Sequence, residues 1–276
     1  MRHSPLGPDL LAGGTGPFRG GAGGHSPAPP ANPVPLVAVA HGSRDPRAAA
    51  TVEALLEEVR RARQDLPVRV AYLDHSAPAL AQAMHGLGEA VVLPLLLTEA
   101  YHSRVDLPAA LNELRARDPR LRVRYGSTLG PHPLMLSALE RRLAEAGVEP
   151  GDPDTAVVLV SAGSSDAGAN AVIATMAAAW EQRGWWAVRA AYASAAEPTP
   201  AQAVAALRRA GAPRVAVAPY LLAPGYFADK VRDSAGADVT ADVLGVAPEL
   251  VRVLLERYEA ALTIRPDSRS RAVAAR

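Results

Sequence analysis

Apolar residues along the chain fall into two alternating rhythms. Short runs such as Leu36-Val37-Ala38-Val39-Ala40 are apolar throughout and carry no helical period. A run buried on both faces reads as a strand of a parallel sheet. It is followed by a glycine and a longer stretch, Pro46 to Gln64, with Val52, Leu55, Leu56 and Val59 at helical spacing. Strand, turn and helix then recur. Strands are expected at Val68–Leu73, Ala90–Leu97 and Leu121–Leu129, with helices at Pro78–Leu87, Ser103–Arg117 and Pro133–Ala146. The second half gives strands at Ala156–Val160, Ala187–Tyr192, Arg214–Leu222 and Val239–Leu244. The pattern predicts an α/β fold of two flavodoxin-like, doubly wound parallel sheets, each a three-layer αβα lobe.

The halves also match residue by residue. Ala40-His41-Gly42-Ser43 aligns with Ser161-Ala162-Gly163-Ser164, and Leu93-Pro94-Leu95-Leu96-Leu97 with Ala218-Pro219-Tyr220-Leu221-Leu222. Leu129-Gly130-Pro131-His132-Pro133 aligns with Leu244-Gly245-Val246-Ala247-Pro248. The offset stays between about 115 and about 125, with a break near Gly147–Asp154, so the chain reads as a tandem duplication. Four segments are expected: a disordered Gly/Pro-rich tail over 1–33, an N-terminal lobe over 34–148, a C-terminal lobe over 154–263, and a second disordered tail over 264–276.

Composition narrows the chemistry. The 276 residues carry 29 Lys and Arg against 28 Asp and Glu, which argues against a nucleic-acid coat or a polybasic membrane binder. Cysteine is absent, so thiol catalysis, disulfides and Cys-ligated metals are excluded. Lys230 is the single lysine, a bias read as coding composition. No stretch reaches the apolar length of a secretory signal or a membrane span, and a soluble, cytoplasmic protein is expected, a monomer or homodimer.

A duplication supplies its own control. Five of the seven histidines fall in the first repeat, two in the tail (His3 and His25) and none in the second repeat. His41 is matched by Ala162, His102 by Phe227 and His132 by Ala247. His41 follows the first strand and His102 the third, at the sheet end where doubly wound folds bind ligands. His132 fits turn chemistry as readily, and His85 reads as solvated. Asp74, matched by Ser194, ends the second strand beside His75, and its carboxylate is placed to converge with His41 and His102. Glu99 precedes His102 by three residues and Asp106 follows by four; Asp106 either orients that imidazole or is a first-turn helix acid. Imidazoles with a carboxylate and no thiol suit a borderline divalent ion, and equally proton abstraction near neutral pH.

The ordered set Val39-Ala40-His41-Gly42-Ser43-Arg44-Asp45-Pro46, Pro94-Leu95-Leu96-Leu97 leading to His102 and Asp106-Leu107-Pro108, and Leu129-Gly130-Pro131-His132-Pro133 resembles the sirohydrochlorin chelatase family. The likeness covers residues 34 to 146, with 156 to 262 similar to a degenerate second copy. It implies two α/β lobes facing across a cleft and ATP-independent insertion of Fe²⁺ for siroheme, or Co²⁺ for cobalamin, into sirohydrochlorin, with no nucleotide. It assigns His41 and His102 to the metal and to the pyrrole protons. The family usually has Glu where this chain has Asp74, and Gly where it has Ala100. The macrocycle's carboxylates would be met by Ser43, Arg44, Arg104, Lys230 and Arg232, the cations by paired hydrogen bonds. Two rivals are a non-catalytic metal or tetrapyrrole carrier and a histidine phosphatase; the latter needs Arg before the nucleophilic His, where this chain has Ala40.

Overall fold

The computed structural model describes residues 33–99 and 105–266. The expected tails fall largely beyond them, and His3, His25, His102 and Arg104 lie outside the described residues.

The first repeat runs β1 (Leu36–Ala40), α1 (Pro46–Ala62), β2 (Val68–Tyr72), α2 (Leu80–Met84), β3 (Glu89–Pro94), α3 (Leu107–Arg117), β4 (Arg122–Tyr125) and α4 (Pro133–Glu145). The second runs β5 (Thr155–Ser161), α5 (Ala167–Glu181), β6 (Ala187–Tyr192), α6 (Pro200–Arg209), β7 (Arg214–Pro219), α7 (Tyr226–Ser234), β8 (Val239–Thr240) and α8 (Pro248–Thr263). Both sheets are parallel, ordered β2-β1-β3-β4 and β6-β5-β7-β8. In each, the strand order reverses at the central pair, β1/β3 and β5/β7, which makes those carboxyl ends the switch points where ligands bind.

Some strands are shorter than their apolar runs. β3 stops at Pro94, which has no N–H to continue a ladder. The expected strands to Leu129 and Leu244 end at Tyr125 and Thr240. Beyond them the chain bonds instead to the loop after the neighbouring strand: Leu129 N–H donates to Leu96 O and Leu244 N–H to Leu221 O, both at 2.9 Å. Apolar character records burial, and the buried loop shares it with the strand.

The strand pleat sorts side chains between layers. Leu36, Ala38 and Ala40 face one side of the first sheet, while Val37 and Val39 face the other among α2 and α3 residues such as Leu80, Leu107 and Leu111. In the second sheet Val157 and Leu159 face the large core, and Ala156, Val158 and Val160 pack with Val204, Leu207 and Val231 of α6 and α7. The large core is common to both repeats. It joins Leu55 and Leu56 of α1, Met135 and Leu139 of α4, Ile173 and Trp180 of α5, and Leu250, Leu254 and Tyr258 of α8.

The closing helices are exchanged. α8, from the second repeat, packs on α1, β3 and β4 of the first; α4, from the first, packs on β7 of the second. Two arginines repeat this exchange at equivalent positions. Arg142 of α4 donates to Leu244 O through Nε and Nη2 at 3.1 and 2.8 Å. Arg257 of α8 donates to Pro131 O at 3.1 Å and Leu129 O at 3.5 Å. Among the described residues no helix is long and apolar enough to cross a membrane.

A common core makes the repeats unfold together. Leu55 is fully buried in the first repeat, and all three tryptophans, Trp180, Trp185 and Trp186, lie in the second. Leu55→Ala is expected to lower stability by about 2–5 kcal/mol. The tryptophan fluorescence midpoint in urea is expected to fall together with the far-UV dichroism midpoint.

Candidate functional site

A cavity of about 1080 Å³ opens between the two switch points. It lies at the upper end of the roughly 300–1,000 Å³ typical of ligand pockets. Its walls are the loops after β1 and β3 on one side and after β5 and β7 on the other. Apolar residues such as Val52, Leu95, Leu97, Ile173, Tyr220 and Leu221 form most of the lining, and His41, Arg44, Asp45, His75 and Asp229 supply charge or imidazole.

His41 is the first residue past β1 and is exposed at the cavity wall. Its backbone is fixed by the turn it opens. His41 O accepts from Asp74 N at 2.9 Å. Gly42 has φ +94°, and a Cβ there would lie 1.7 Å from Asp74 O, so only glycine closes this turn. Ser43 Oγ accepts from Asp45 N at 3.1 Å, and Ser76 Oγ both accepts from Ser43 N at 3.3 Å and donates to Ser43 O at 3.1 Å. Asp45 then caps α1, accepting from Arg47 N at 2.9 Å, with Pro46 in the first turn. His41 Nδ1 lies 3.3 Å from Gly42 O.

The second repeat builds the same frame without the imidazole. Ala162 O accepts from Ser194 N at 2.9 Å, Gly163 has φ +86°, Ser164 Oγ accepts from Asp166 N at 3.0 Å, and Asp166 caps α5. The turn is therefore scaffold in both repeats. What distinguishes the first is the side chain it presents.

The other sequence candidates are distributed unevenly. Ser43 and Arg44 line the cavity, and Arg44 is exposed there. Asp74 does not line it. Its carboxylate turns to its own neighbour: Oδ1 accepts from His75 N at 2.8 Å and Oδ2 lies 3.1 Å from His75 Nε2. His75 is the member of that pair that reaches the cavity wall. Its backbone is left-handed, φ +57°, and its counterpart Ala195 repeats this at +58° without a ring. Lys230 and Arg232 also lie outside the lining. Lys230 Nζ donates to Ala193 O at 2.8 Å, and Arg232 pairs with Asp242 at 2.9 Å. Asp106 has a helical backbone at the start of α3. His132 links the repeats: Nδ1 accepts from Leu134 N, capping α4, and Nε2 lies 3.1 Å from Glu256 of α8. Among the described residues no three His, Asp or Glu side chains gather into a metal cage.

Several groups at or beside the cavity went unmarked in the sequence. Arg47 bridges the repeats, reaching Asp45 at 2.6 Å and Asp229 of α7 at 2.5 Å across 182 positions, a pairing no local motif signals. Tyr226 and Phe227 open α7 at the cavity. The duplication did hold a signal for Phe227, because it replaces His102. Tyr220 is buried and donates its hydroxyl to Leu97 O at 2.9 Å across the repeats; burial pushes its pKa well up, which keeps it a neutral donor.

The Arg47 bridge sets the electrostatics of the two acids that line the cavity. The Arg47 guanidinium, and then its backbone N–H, hold the Asp45 carboxyl below the usual carboxylate value. Hydrogen bonds to Asp45 and Asp229 hold Arg47 charged. A carboxyl lowered in the folded state stabilises it above its unfolded pKa, and that contribution is lost as pH falls through the lowered value. A ¹³C titration of Asp45 is expected to show a midpoint below the ordinary value of about 3.9. Arg47→Ala should move it back up.

The family model described as CbiX matches residues 35–146 and again 156–261, one match per repeat. A sirohydrochlorin cobaltochelatase of Priestia megaterium is 27% identical, covering 81% of this chain and 78% of its own length. A sirohydrochlorin ferrochelatase of the same organism is 26% identical, covering 82% and 89%. Among solved structures, SirB from Bacillus subtilis with Fe³⁺ superposes with a TM-score of 0.70 at 22% identity, covering 83% of this chain and 95% of that one. The same two-lobed α/β fold is thus present in both.

Proposed function

The chain belongs to the CbiX family, and we propose that it inserts a divalent metal into sirohydrochlorin without nucleotide hydrolysis. The observation that carries this reading is the cavity at the paired switch points, with His41 on the first repeat's turn and Ala162 on the equivalent turn of the second. A symmetric binding protein would have no use for that difference. An asymmetric reaction would.

The reaction exchanges two protons for one ion. The free-base macrocycle carries two inward pyrrole N–H groups; the metal enters as M²⁺, displaces both protons and leaves the overall charge unchanged. An imidazole suits both halves of this exchange. With an ordinary pKa of about 6.5 it accepts a proton near neutral pH, and its lone pair receives Fe²⁺ or Co²⁺. His41 and His102 take these roles, holding the ion and accepting protons. Asp74 acts through His75, whose ring it contacts from outside the cavity. Arg44, with Ser43 beside it, meets the macrocycle's carboxylates at the cavity wall, and Arg104 adds to them. Lys230 and Arg232 stand back from the cavity. Iron is the metal of the proposal. Cobalt is the second reading, because the relatives carry both names.

The test mixes sirohydrochlorin anaerobically with Fe²⁺ or Co²⁺ and follows loss of the free-base absorbance. The wild-type protein is expected to accelerate metallation. His41→Ala and His102→Ala should each slow it by about 10²-fold or more, the range for removing a positioned acid–base group. Metallation at the wild-type rate by both variants overturns the residue assignment. Macrocycle binding with no acceleration by wild type overturns the reaction and leaves a carrier.

A further inference from the structure

We infer that Tyr226 and Phe227 form an aromatic platform for the flat face of the macrocycle, on the cavity wall beside the His41 turn. The inference rests on the proposed reaction and assigns the second repeat its own part in it.

Both rings line the cavity, yet neither is packed away. Tyr226 is 73% exposed and Phe227 36%, among the few large apolar side chains so open on the described surface. They stand edge to face, with centroids 5.5 Å apart and planes at 62°. Two adjacent aromatic side chains held open beside an apolar cavity fit a ligand with an extended conjugated plane. The electron-rich ring faces and electropositive edges favour offset or edge contacts with such a plane, and stacking of this kind tolerates variation around the ligand's rim.

Their position is fixed from the first repeat. Gly225, just before them, sits so that an added Cβ would lie 3.8 Å from Asp45 Cβ and 4.0 Å from Ser43 Oγ. The start of α7 therefore abuts the loop that carries His41. One turn further along, Asp229 is held by Arg47 at 2.5 Å. This strap sets the rings beside the histidine loop at the cavity wall.

The duplication supports the same division. Tyr226-Phe227 occupies the position of Tyr101-His102 in the first repeat. The second repeat thus lost two imidazoles at this sheet end, His41 to alanine and His102 to phenylalanine. A methyl group leaves space where the first substitution falls. A phenyl ring supplies a surface where the second falls. One repeat keeps the groups that handle ion and protons, and the other offers a face against which the ring is held.

The test titrates metal-free sirohydrochlorin into the full-length protein, with no metal added, and reads binding from its absorbance and fluorescence. The double variant Tyr226→Ala/Phe227→Ala is expected to bind about 10- to 100-fold more weakly, in line with the loss of stacked aromatic contacts. Phe227→Tyr should bind within about twofold of wild type, whereas Phe227→Leu, apolar but without a π face, should stay weak. In metallation assays the double variant should raise KM by a similar factor and leave kcat within about twofold, the signature of lost binding common to ground and transition states. An unchanged urea midpoint is expected, since both rings are exposed. Wild-type affinity in the double variant, or a loss confined to kcat, overturns the platform alone while wild-type metallation stands. A wild-type protein that does not bind the macrocycle overturns the platform and the proposed reaction together.

Discussion

Neither sheet can bury its inner face with its own repeat's helices alone. The last helix of each repeat leaves home: α4 covers β7, and α8 covers β3 and β4. Once the two helices are exchanged, the inner faces share one core, from Leu36 and Leu93 to Leu159 and Tyr258. That core fixes the carboxyl ends of β1 and β3 against those of β5 and β7, and the cavity lies where they meet. Arg142 and Arg257 do for the loops what the helices do for the sheets. Each crosses to backbone carbonyls in the other repeat. The site is thus a by-product of how the core is closed, which explains why so little local sequence marks its geometry.

The repeats separate scaffold from chemistry more sharply than either would alone. Gly42 and Gly163 both press against the end of the neighbouring strand. Ser43 and Ser164 both accept from an N–H two residues on, and Asp45 and Asp166 both cap the following helix. Ser43, a sequence candidate for substrate contact, therefore has a turn duty that its copy shares. His75 and Ala195 adopt the same left-handed backbone, so that conformation is also a property of the turn. Subtracting these common features leaves His41, His75 and the Asp74 carboxylate on one side, and Phe227 on the other.

The strand–helix alternation, the duplication and the position of His41 were all legible in the chain, because periodicity and repeat matching need only local pattern. β1 and β6 end where their apolar runs end. The helix exchange was not legible. Leu139 and Leu254 say that α4 and α8 are buried, and nothing in their spacing says against which sheet. Nor does proximity to a strand end give direction. Lys230 and Arg232 follow β7 as Arg44 follows β1, yet neither lines the cavity; they bond to Ala193 O and Asp242. Asp74 shows the same limit at shorter range: its backbone ends at the expected place, and its carboxylate turns to His75. His102, singled out by the duplication, and Arg104, by its place after the third strand, lie outside the described residues.

Arg47 shows how the fold reconciles a nearly neutral protein with a polycarboxylate ligand. Asp45 and Asp229 both line the cavity, and both would repel such a ligand if left uncompensated. Arg47 lies between them and binds both, so the three groups together carry about one negative charge where two carboxylates would carry two. The same ion triad joins α1 to α7, one from each repeat. A surface pair contributes little by itself; here its value lies in the place it holds. It quiets Asp45, which caps the helix behind His41, and Asp229 of α7, fixes the start of the aromatic helix, and leaves Arg44, which forms no hydrogen bond or ion pair among the described residues, as a cation at the cavity wall.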